Sequence, residues 1–510
     1  MLGVAFRRGL LAAALLLTAP VAHADITLPA LLTDHLVLQQ KTTVALWGWA
    51  APGEAVQVTA GWQKKPLRTV ADAQGNWLVR VPTPKAGGPY TLVFQGRNRL
   101  AVRDVLLGEV WLCSGQSNMA FPVAKGASKW MTGVTNEAEA VPKANYPAIR
   151  MFTVTQKVAD EPERDVQGSW AVCSPQTVGA FSAVAYFFGQ EIHLKTGVPV
   201  GLIHSSWGGT PAESWTRREV LAQHPELSPI LTRYAEGLAR RPAYEAELAA
   251  WKQEKQANPE INRPKPREPL SASSNKSPAK LYNGMIRGLQ PYTLRGVIWY
   301  QGESNAERAY QYRTLFPALI ASWRQDWQQP ELPFYFVQIT PHKGQNPEIR
   351  EAQLLSWQQV PRTGLVVTTD VGDSLDIHPR NKQTVGHRLA RWALRHEYNQ
   401  RKLETSGPIY RSMRAENGKV RLEFDHAAGL KAEGPRLRDF TVAGADSVFH
   451  PAQARIDGNS VLVWSDQVTR PVAVRFGWLA VPHASLYNAA GLPASPFRTD
   501  AWRVSTHGKR

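Results

Sequence analysis

The middle of the chain alternates between short apolar runs and longer segments in which apolar residues recur every three to four positions. The apolar runs predict strands over residues 105–112, 198–204, 295–300, 333–339 and 364–369. The longer segments predict helices over residues 180–195, 308–327, 349–360 and 382–396. Alternating strands and helices are typical of an α/β fold, so residues 104–400 are predicted to form a mainly parallel five-stranded sheet with flanking helices.

The two flanking regions show the two-residue period of β-structure. In residues 25–103, apolar and polar positions alternate, as at 43–49, and turn signals such as 72–76 separate the runs. Residues 401–510 return to this pattern, as at 461–464. We therefore predict an N-terminal β-sandwich domain and a C-terminal β-rich region of the same type, which either forms a second sandwich or completes the first.

A long excursion, residues 216–280, separates the second and third predicted strands of the α/β domain. Its first half is rich in Ala, Leu, Glu and Arg and predicts helices, whereas its second half is rich in Pro, Ser and Asn and predicts irregular structure. Insertions of this length are often functional. A lid or substrate-facing wall and a surface elaboration are both compatible with the pattern.

The N-terminus has the pattern of a cleavable secretory signal over residues 1–24. Arg7 and Arg8 precede a short apolar core at 10–17, and Ala-His-Ala at 22–24 predicts cleavage near Ala24. This core is shorter than the about 20 residues that span a bilayer, and no other stretch approaches that length. The sequence therefore predicts a secreted or periplasmic protein without stable membrane insertion, the alternative being an apolar helix retained in the fold.

The formal net charge of +17 does not indicate a nucleic-acid partner. The basic residues are dispersed, and neither a long Lys/Arg run nor a nucleic-acid-binding motif is present. Weak attraction to acidic glycans or to an anionic membrane surface remains compatible with the charge.

The chain has two cysteines, Cys113 and Cys173. Because export permits oxidation, we predict a disulfide between them, the alternative being two buried free thiols. Their spacing matches no zinc motif.

Four polar segments lie just beyond predicted strands. They are Gly-Gln-Ser-Asn-Met at 115–119, His-Ser-Ser-Trp-Gly-Gly-Thr-Pro at 204–211, Trp-Tyr-Gln-Gly-Glu-Ser-Asn at 299–305 and Asp-Ile-His-Pro at 376–379. The carboxyl ends of parallel strands meet at one edge, where α/β sheets bind ligands. We therefore expect the four segments to share one rim, with Ser117 as candidate nucleophile and His378 as candidate base.

The order Ser, Gly, Asn, His along these segments resembles the SGNH hydrolases, a superfamily of serine esterases. Within it, the motifs at 115–119 and 300–305, and Ile-His-Pro-Arg-Asn-Lys-Gln at 377–383, are similar to those of sialate O-acetylesterase-type carbohydrate esterases. The resemblance extends over residues 27–500 and implies an SGNH-hydrolase-like fold that hydrolyses acetyl esters on sugars. It implies no cofactor and no metal.

The resemblance also implies donors for the oxyanion that forms during ester hydrolysis. These are the backbone N–H of the nucleophile, a backbone N–H of Gly208 or Gly209, and the Asn305 side chain. Gln301 and Glu303 are further candidates for oxyanion or substrate binding, although Glu303 is equally suited to structuring the loop that carries Asn305.

The group that orients the histidine is left open. The usual superfamily pattern places Asp three residues before His, and that position holds Leu375. Asp376 is the favoured partner, with Asp373, Asp370 or a backbone carbonyl as alternatives.

Two classes of function fit the sequence. The first is a secreted carbohydrate O-acetylesterase acting on an acetylated mono-, oligo- or polysaccharide, such as sialic acid or a hemicellulose like xylan or xyloglucan. The second is a non-catalytic glycan-binding protein built on an esterase-like scaffold. A metal-assisted deacetylase is a weaker rival, because the His and Asp spacings match no strong metal motif.

Overall fold

The computed structural model describes residues 25–509, so the predicted signal peptide lies outside the described residues. The N-terminal strands are β1 (Val37–Gln39), β2 (Thr42–Trp49), β3 (Ala55–Ala60), β4 (Leu67–Val70), β5 (Asn76–Thr83), β6 (Gly87–Gln95) and β7 (Arg99–Gly115). The strands β8 (Tyr146–Thr153), β9 (Trp170–Cys173), β10 (Val200–Ser206), β11 (Gly296–Tyr300), β12 (Phe334–Val337) and β13 (Thr363–Val366) follow.

The centre of the protein is a sheet in the order β13, β12, β11, β7, β10, β8, β9. Every neighbouring pair is parallel except β8 and β9, which are antiparallel. The five predicted strands are all present, but the prediction of a five-stranded sheet is wrong because it missed β8 and β9. A proline and an arginine interrupt the apolar run of β8, and β9 is only four residues long, so neither shows a strong strand pattern.

Eight α-helices are described, and the four predicted helices correspond to α3, α6, α7 and α8. The helices are α1 (Ser117–Ala120), α2 (Glu137–Ala140), α3 (Ala183–Thr196), α4 (Arg218–Gln223), α5 (Ser228–Ala257), α6 (Ala309–Asp326), α7 (Pro347–Gln359) and α8 (Lys382–His396). Single turns of 3₁₀ or π-helix occupy Ala212–Trp215, Tyr282–Ile286, Arg287–Leu289 and Glu303–Arg308. The insertion contains α4 and α5, followed by irregular chain, as its composition predicts.

Helices cover both faces of the central sheet. Successive side chains of a strand point to opposite faces, so each strand has apolar side chains that pack against the helices on either side. On β7, Trp111 and Cys113 lie in one hydrophobic cluster with residues of α3 and α8. Val110 and Leu112 lie in the other cluster, with residues of α6 and α7 and of the N-terminal strands. The four helices therefore hold the sheet between two buried apolar layers.

The strand β7 belongs to two structural regions at once. Its first half pairs antiparallel with β6, and its second half pairs with β10 and β11 in the central sheet. The predicted boundary between residues 103 and 104 falls inside this strand.

The C-terminal part is built from short antiparallel strands. They are β14 (Ile409–Glu416), β15 (Lys419–Asp425), β16 (Lys431–Ala432), β17 (Phe440–Ala443), β18 (Phe449–Pro451), β19 (Gln453–Asp457), β20 (Ser460–Trp464), β21 (Ala473–Phe476), β22 (Leu486–Tyr487) and β23 (Phe497–Arg498). Two four-stranded sheets, β14-β15-β20-β19 and β18-β17-β21-β23, account for most of this β-rich region.

The predicted disulfide is wrong, because both cysteines are free and buried. Cys113 lies on β7 and Cys173 on β9, and β10 and β8 lie between those strands. Three strand spacings amount to about 14 Å. A disulfide needs Cα atoms within about 7 Å of one another.

Across residues 25–509, no helix is both long enough and apolar enough to cross a membrane.

Candidate active site

Ser117 lies at the carboxyl end of β7, where the chain turns sharply into α1. The turn needs Gly115, whose φ is 141° and whose missing side chain leaves room for the Tyr300 carbonyl oxygen. The Gln116 N–H donates to that same oxygen at 2.9 Å. The neighbouring strand β11 thus fixes the two residues before Ser117, which is 8% exposed.

His378 lies in the loop between β13 and α8 and contacts the serine directly. Its Nε2 is 2.9 Å from Ser117 Oγ. Burial, with a smaller contribution from the positive charge of Lys382, lowers the pKa of His378 to about 4, while Asp376 acts in the opposite direction. The imidazole is therefore neutral at neutral pH, and its Nε2 can accept the serine proton. The indole of Trp130 lies against the imidazole, with ring centroids 5.0 Å apart.

Of the three candidate aspartates, only Asp376 approaches the imidazole. Its Oδ1 is 3.7 Å from His378 Nδ1 and accepts a 2.8 Å hydrogen bond from the His378 backbone N–H. Asp373 accepts hydrogen bonds from the backbone N–H groups of Leu375 and Asp376, which fold the loop. The Asp370 carboxylate is bound at 2.7 and 2.6 Å by the Arg388 guanidinium.

The glycine segment after β10 lies beside Ser117. A Cβ on Gly208 would lie 3.3 Å from Ser117 Cβ, whereas one on Gly209 would meet no atom within 4 Å. Within residues 25–509, the backbone N–H groups of Ser117, Gly208 and Gly209 donate to no protein acceptor. Gly208 is thus the glycine closer to the serine. The backbone N–H groups of Ser117 and Gly208 are both free to bind a ligand.

Asn305 is held rigidly in the 3₁₀ turn after β11. Its Oδ1 accepts hydrogen bonds from the Ala212 N–H at 2.9 Å and from Gln301 Nε2 at 2.7 Å. Its Nδ2 donates one proton to Glu213 at 2.8 Å, which leaves the second proton of that amide. Gln301 itself is fully buried and also bonds Thr210 and Tyr312. Its position thus lies beneath the rim, where it supports Asn305.

Glu303 lies in a buried polar network that the sequence reasoning missed. Its Oε1 accepts a 2.6 Å hydrogen bond from Asn118 Nδ2, and the Asn118 oxygen accepts from Lys382 Nζ. The same Asn118 amide donates to the Ile377 carbonyl oxygen at 3.0 Å. Asn118 and Lys382 belong to the motifs that carried the family resemblance. Their proximity in sequence to Ser117 and His378 could therefore have identified them as site residues. Glu213, the partner of Asn305, carried no such signal.

This arrangement contains the groups that nucleophilic acyl transfer requires. The serine is hydrogen-bonded to a neutral histidine, and free backbone N–H groups lie beside it. These groups meet the requirements for forming and stabilising a tetrahedral intermediate. Among residues 25–509, no group of three or more His, Cys, Asp or Glu side chains is arranged to hold a metal ion.

Comparison with known proteins identifies the family of the chain. The family model described as "carbohydrate esterase, sialic acid-specific acetylesterase" matches residues 107–255 and 270–395. Sialate O-acetylesterase of Rattus norvegicus is 30% identical, over 91% of this chain and 92% of its own. That of Homo sapiens is 28% identical, over 91% of each chain.

Among solved structures, a carbohydrate acetylesterase from Xanthomonas citri superposes with a TM-score of 0.79. It is 38% identical and covers 94% of this chain and 100% of its own. The chain therefore belongs to the sialic acid-specific acetylesterase family of carbohydrate esterases and is a carboxylic-ester hydrolase.

Proposed function

We propose that the protein is a secreted carbohydrate O-acetylesterase in which Ser117 is the nucleophile and His378 the general base. The observation that carries the proposal is the 2.9 Å contact between Ser117 Oγ and His378 Nε2. The low pKa of His378, about 4 because of burial, supports the assignment since a base must be unprotonated.

In the first half of the reaction, Ser117 Oγ attacks the acetyl carbonyl carbon while His378 Nε2 takes the serine proton. The tetrahedral intermediate collapses when the bond to the sugar oxygen breaks, and the imidazolium returns its proton to that oxygen. In the second half, His378 takes a proton from water as the water oxygen attacks the acetyl-serine. The tetrahedral intermediate collapses, Ser117 Oγ regains a proton from His378, and the acetic acid that leaves ionises to acetate in solvent.

The oxyanion is stabilised by the backbone N–H groups of Ser117 and Gly208 and by the remaining amide proton of Asn305. The proximity of Gly208 to the serine side chain favours it over Gly209. Preorganised donors of this kind supply much of the catalysis, because they need no rearrangement as charge develops. The bonds that hold Asn305 provide such preorganisation.

Asp376 is the proposed partner of the imidazole. Its carboxylate is anchored by the His378 backbone N–H, and the 3.7 Å separation from Nδ1 is small enough for electrostatic stabilisation of the imidazolium. Hydrogen bonds of catalytic groups are often long before substrate binds. The engagement of Asp370 by Arg388 and of Asp373 by backbone N–H groups favours Asp376 over both.

The sugar that carries the ester is proposed to extend into a cleft of about 780 Å³ beside Gly209 and Ser304. Arg233 and Arg240 of α5 also line this cleft, so the insertion contributes a substrate-facing surface. The names of the curated relatives favour acetylated sialic acid as substrate, and acetylated hemicellulose such as xylan or xyloglucan is the second candidate.

A panel of acetylated sialic acids, xylan and xyloglucan, with released acetate measured, tests both substrate and activity. We expect acetate release that Ser117→Ala abolishes. Binding of the glycans without acetate release would favour the rival, a non-catalytic glycan-binding protein. Sequencing the N-terminus of the mature protein tests export, for which we expect a start at Asp25.

A further inference from the structure

Lys382 occupies an unusual position for a lysine. It is the first residue of α8, four residues after His378, and its side chain is fully buried. Its ammonium lies 4.8 Å from the centroid of the Phe121 ring and 5.3 Å from that of Tyr300. Its hydrogen-bond acceptor is the side-chain oxygen of Asn118, the residue after the nucleophile. Lysine is almost never fully buried unless it is paired, so this placement calls for a specific role.

The Asn118 amide connects three loops. Its nitrogen donates to Glu303 Oε1 at 2.6 Å, in the turn that carries Asn305, and to the Ile377 carbonyl oxygen at 3.0 Å, next to His378. Its orientation is fixed because the Ile377 carbonyl oxygen can only accept a hydrogen bond, so the atom that contacts it is the amide nitrogen. A buried cation and a buried anion thus lie at opposite ends of one amide.

We propose that Lys382 is a positioning residue of the esterase: by fixing the Asn118 amide, its ammonium holds the serine turn, the Asn305 turn and the histidine loop in register. The proposal rests on the proposed function, because it assigns these three loops to one reaction. Displacement of a reacting group by about 1 Å costs about 10²-fold in rate, so a clamp between the loops has catalytic value.

The charge of Lys382 has a second effect on the site. Burial lowers the pKa of Lys382 to about 7, while the negative charges of Glu303 and Asp376 oppose the shift. The groups that act on His378 are Lys382, Asp376 and His342, and the cation favours the neutral imidazole. The active protonation state is therefore charged Lys382 with neutral His378. It is lost as the pH falls through the pKa of His378 and as the pH rises through that of Lys382.

Lys382→Met tests the proposal, because methionine is unbranched and nearly as long as lysine but removes both the charge and the hydrogen bond to Asn118. We expect kcat to fall by about 10- to 100-fold with little change in KM. The acidic limb of the kcat/KM profile should move to higher pH, because His378 loses a neighbouring cation, and the alkaline limb should disappear. Lys280→Met is the matched control, since Lys280 is also a buried lysine and pairs with Asp160 on the exposed surface. It should lower the melting temperature and leave the pH profile unchanged.

Glu303→Gln is the second variant, and it decides the question if Lys382→Met does not fold. Glutamine keeps an acceptor for Asn118 but removes the negative charge that stabilises the ammonium, so the alkaline limb should move to lower pH. An alkaline limb that does not move overturns the proposal. So does a Lys382→Met protein whose kcat and profile match those of Lys280→Met.

Ser117→Ala, assayed beside these variants, separates the two proposals. A Ser117→Ala protein as active as the wild type overturns the proposed function. An inactive Ser117→Ala protein together with an unchanged Lys382→Met profile overturns only the role of Lys382.

Discussion

The two ends of the central sheet each carry a cleft of about 780 Å³, yet the polar groups at the two ends differ in their hydrogen-bond partners. At the amino ends of the strands, Glu109 accepts hydrogen bonds from Gln39, Gln40 and Tyr398. Glu397 accepts there from Tyr335 and from the Arg362 guanidinium. Each of these buried carboxylates has several partners.

At the carboxyl ends, polar groups keep unused bonding capacity. Glu303 has one donor, Asn118, and within the described chain its Oε2 has no partner. The backbone N–H groups beside Ser117 and at Gly208 are free as well. Burial raises the pKa of Glu303 and lowers that of Lys382. Cleft size therefore does not distinguish the two ends. Unpaired polar atoms alone do not distinguish them either, because among the described residues Arg295 Nε and Gln329 Oε1 at the amino end also lack a hydrogen-bond partner. The carboxyl end differs because its free N–H groups lie beside a hydrogen-bonded serine–histidine pair, where they can act on a transition state.

Substitution of the proposed nucleophile, at the carboxyl end of the central sheet, should have the largest effect on activity. We expect Ser117→Ala to lower kcat by about 10⁶-fold without loss of stability, and His378→Ala to be nearly as damaging, because the pair acts as a unit. Release of acetate from an acetyl ester and thermal melting measure the two quantities. Near-normal turnover of a pure Ser117→Ala sample would remove the serine mechanism.

Loss of one oxyanion donor should have the next largest effect. Asn305→Ala is expected to lower kcat by about 10²–10³-fold and to change KM much less, since the donor acts on the transition state. Steady-state kinetics on one acetylated substrate give both constants. A change confined to KM would make Asn305 a substrate-binding residue instead.

Removal of the carboxylate beside the imidazole sharpens the comparison within the carboxyl end. Asp376→Ala should lower kcat by more than about tenfold, because a carboxylate stabilises the imidazolium that forms during attack. Asp370→Ala should mainly lower the melting temperature, because its role is to bind Arg388. If Asp376, Asp373 and Asp370 can each be replaced at a cost below tenfold, a Ser–His dyad replaces the triad.

At the amino end, the same kind of substitution should affect stability and spare catalysis. Glu397→Ala leaves the Tyr335 hydroxyl and the Arg362 guanidinium without their acceptor, and we expect a loss of about 2 kcal/mol in the free energy of unfolding. Denaturant unfolding measures this loss, and kcat should stay within a factor of about two. A large fall in kcat would mean that the two ends are coupled.

The smallest expected effect is that of mild acid. Since burial and the charge of Lys382 lower the pKa of His378 to about 4, the imidazole stays neutral between pH 6 and pH 5, where Lys382 is charged, and kcat/KM should change by less than about twofold. Activity should be lost only as the pH falls through the pKa of His378. A midpoint near 6.5, the ordinary value for histidine, would show that the site is open to water.

The sequence predicted the central fold well because its helices are long and periodic and its five predicted strands are predominantly apolar runs. Helix α8 begins and ends where its pattern predicts, at Lys382 and His396. Strand β8 was missed because Pro147 and Arg150, whose guanidinium is buried against Asp104, interrupt its apolar run. Strand β9 was missed because it is only four residues long. The disulfide was predicted wrongly because strand order, which keeps Cys113 and Cys173 apart, has no local signal in the sequence.

The motifs of the candidate site named the residues but not their contacts. Ser117 and His378 were candidates from their positions after strands, and Asn118 and Lys382 stood in the same motifs without a role. Their hydrogen bond joins residues 264 positions apart, and only the folded chain brings them together. The engagement of Asp370 by Arg388 was hidden for the same reason.

The continuous strand β7 limits how the length of this chain can change. Its 17 residues pair with β6 at one end and with β10 and β11 at the other, and Ser117 follows two residues after its last. Inserting or deleting one residue would shift the serine by about 3.3 Å and turn half of the strand's side chains to the wrong face. Length variation among natural relatives should therefore fall in the loops around this strand, and a library of single-residue insertions across 99–115 should yield no active enzyme.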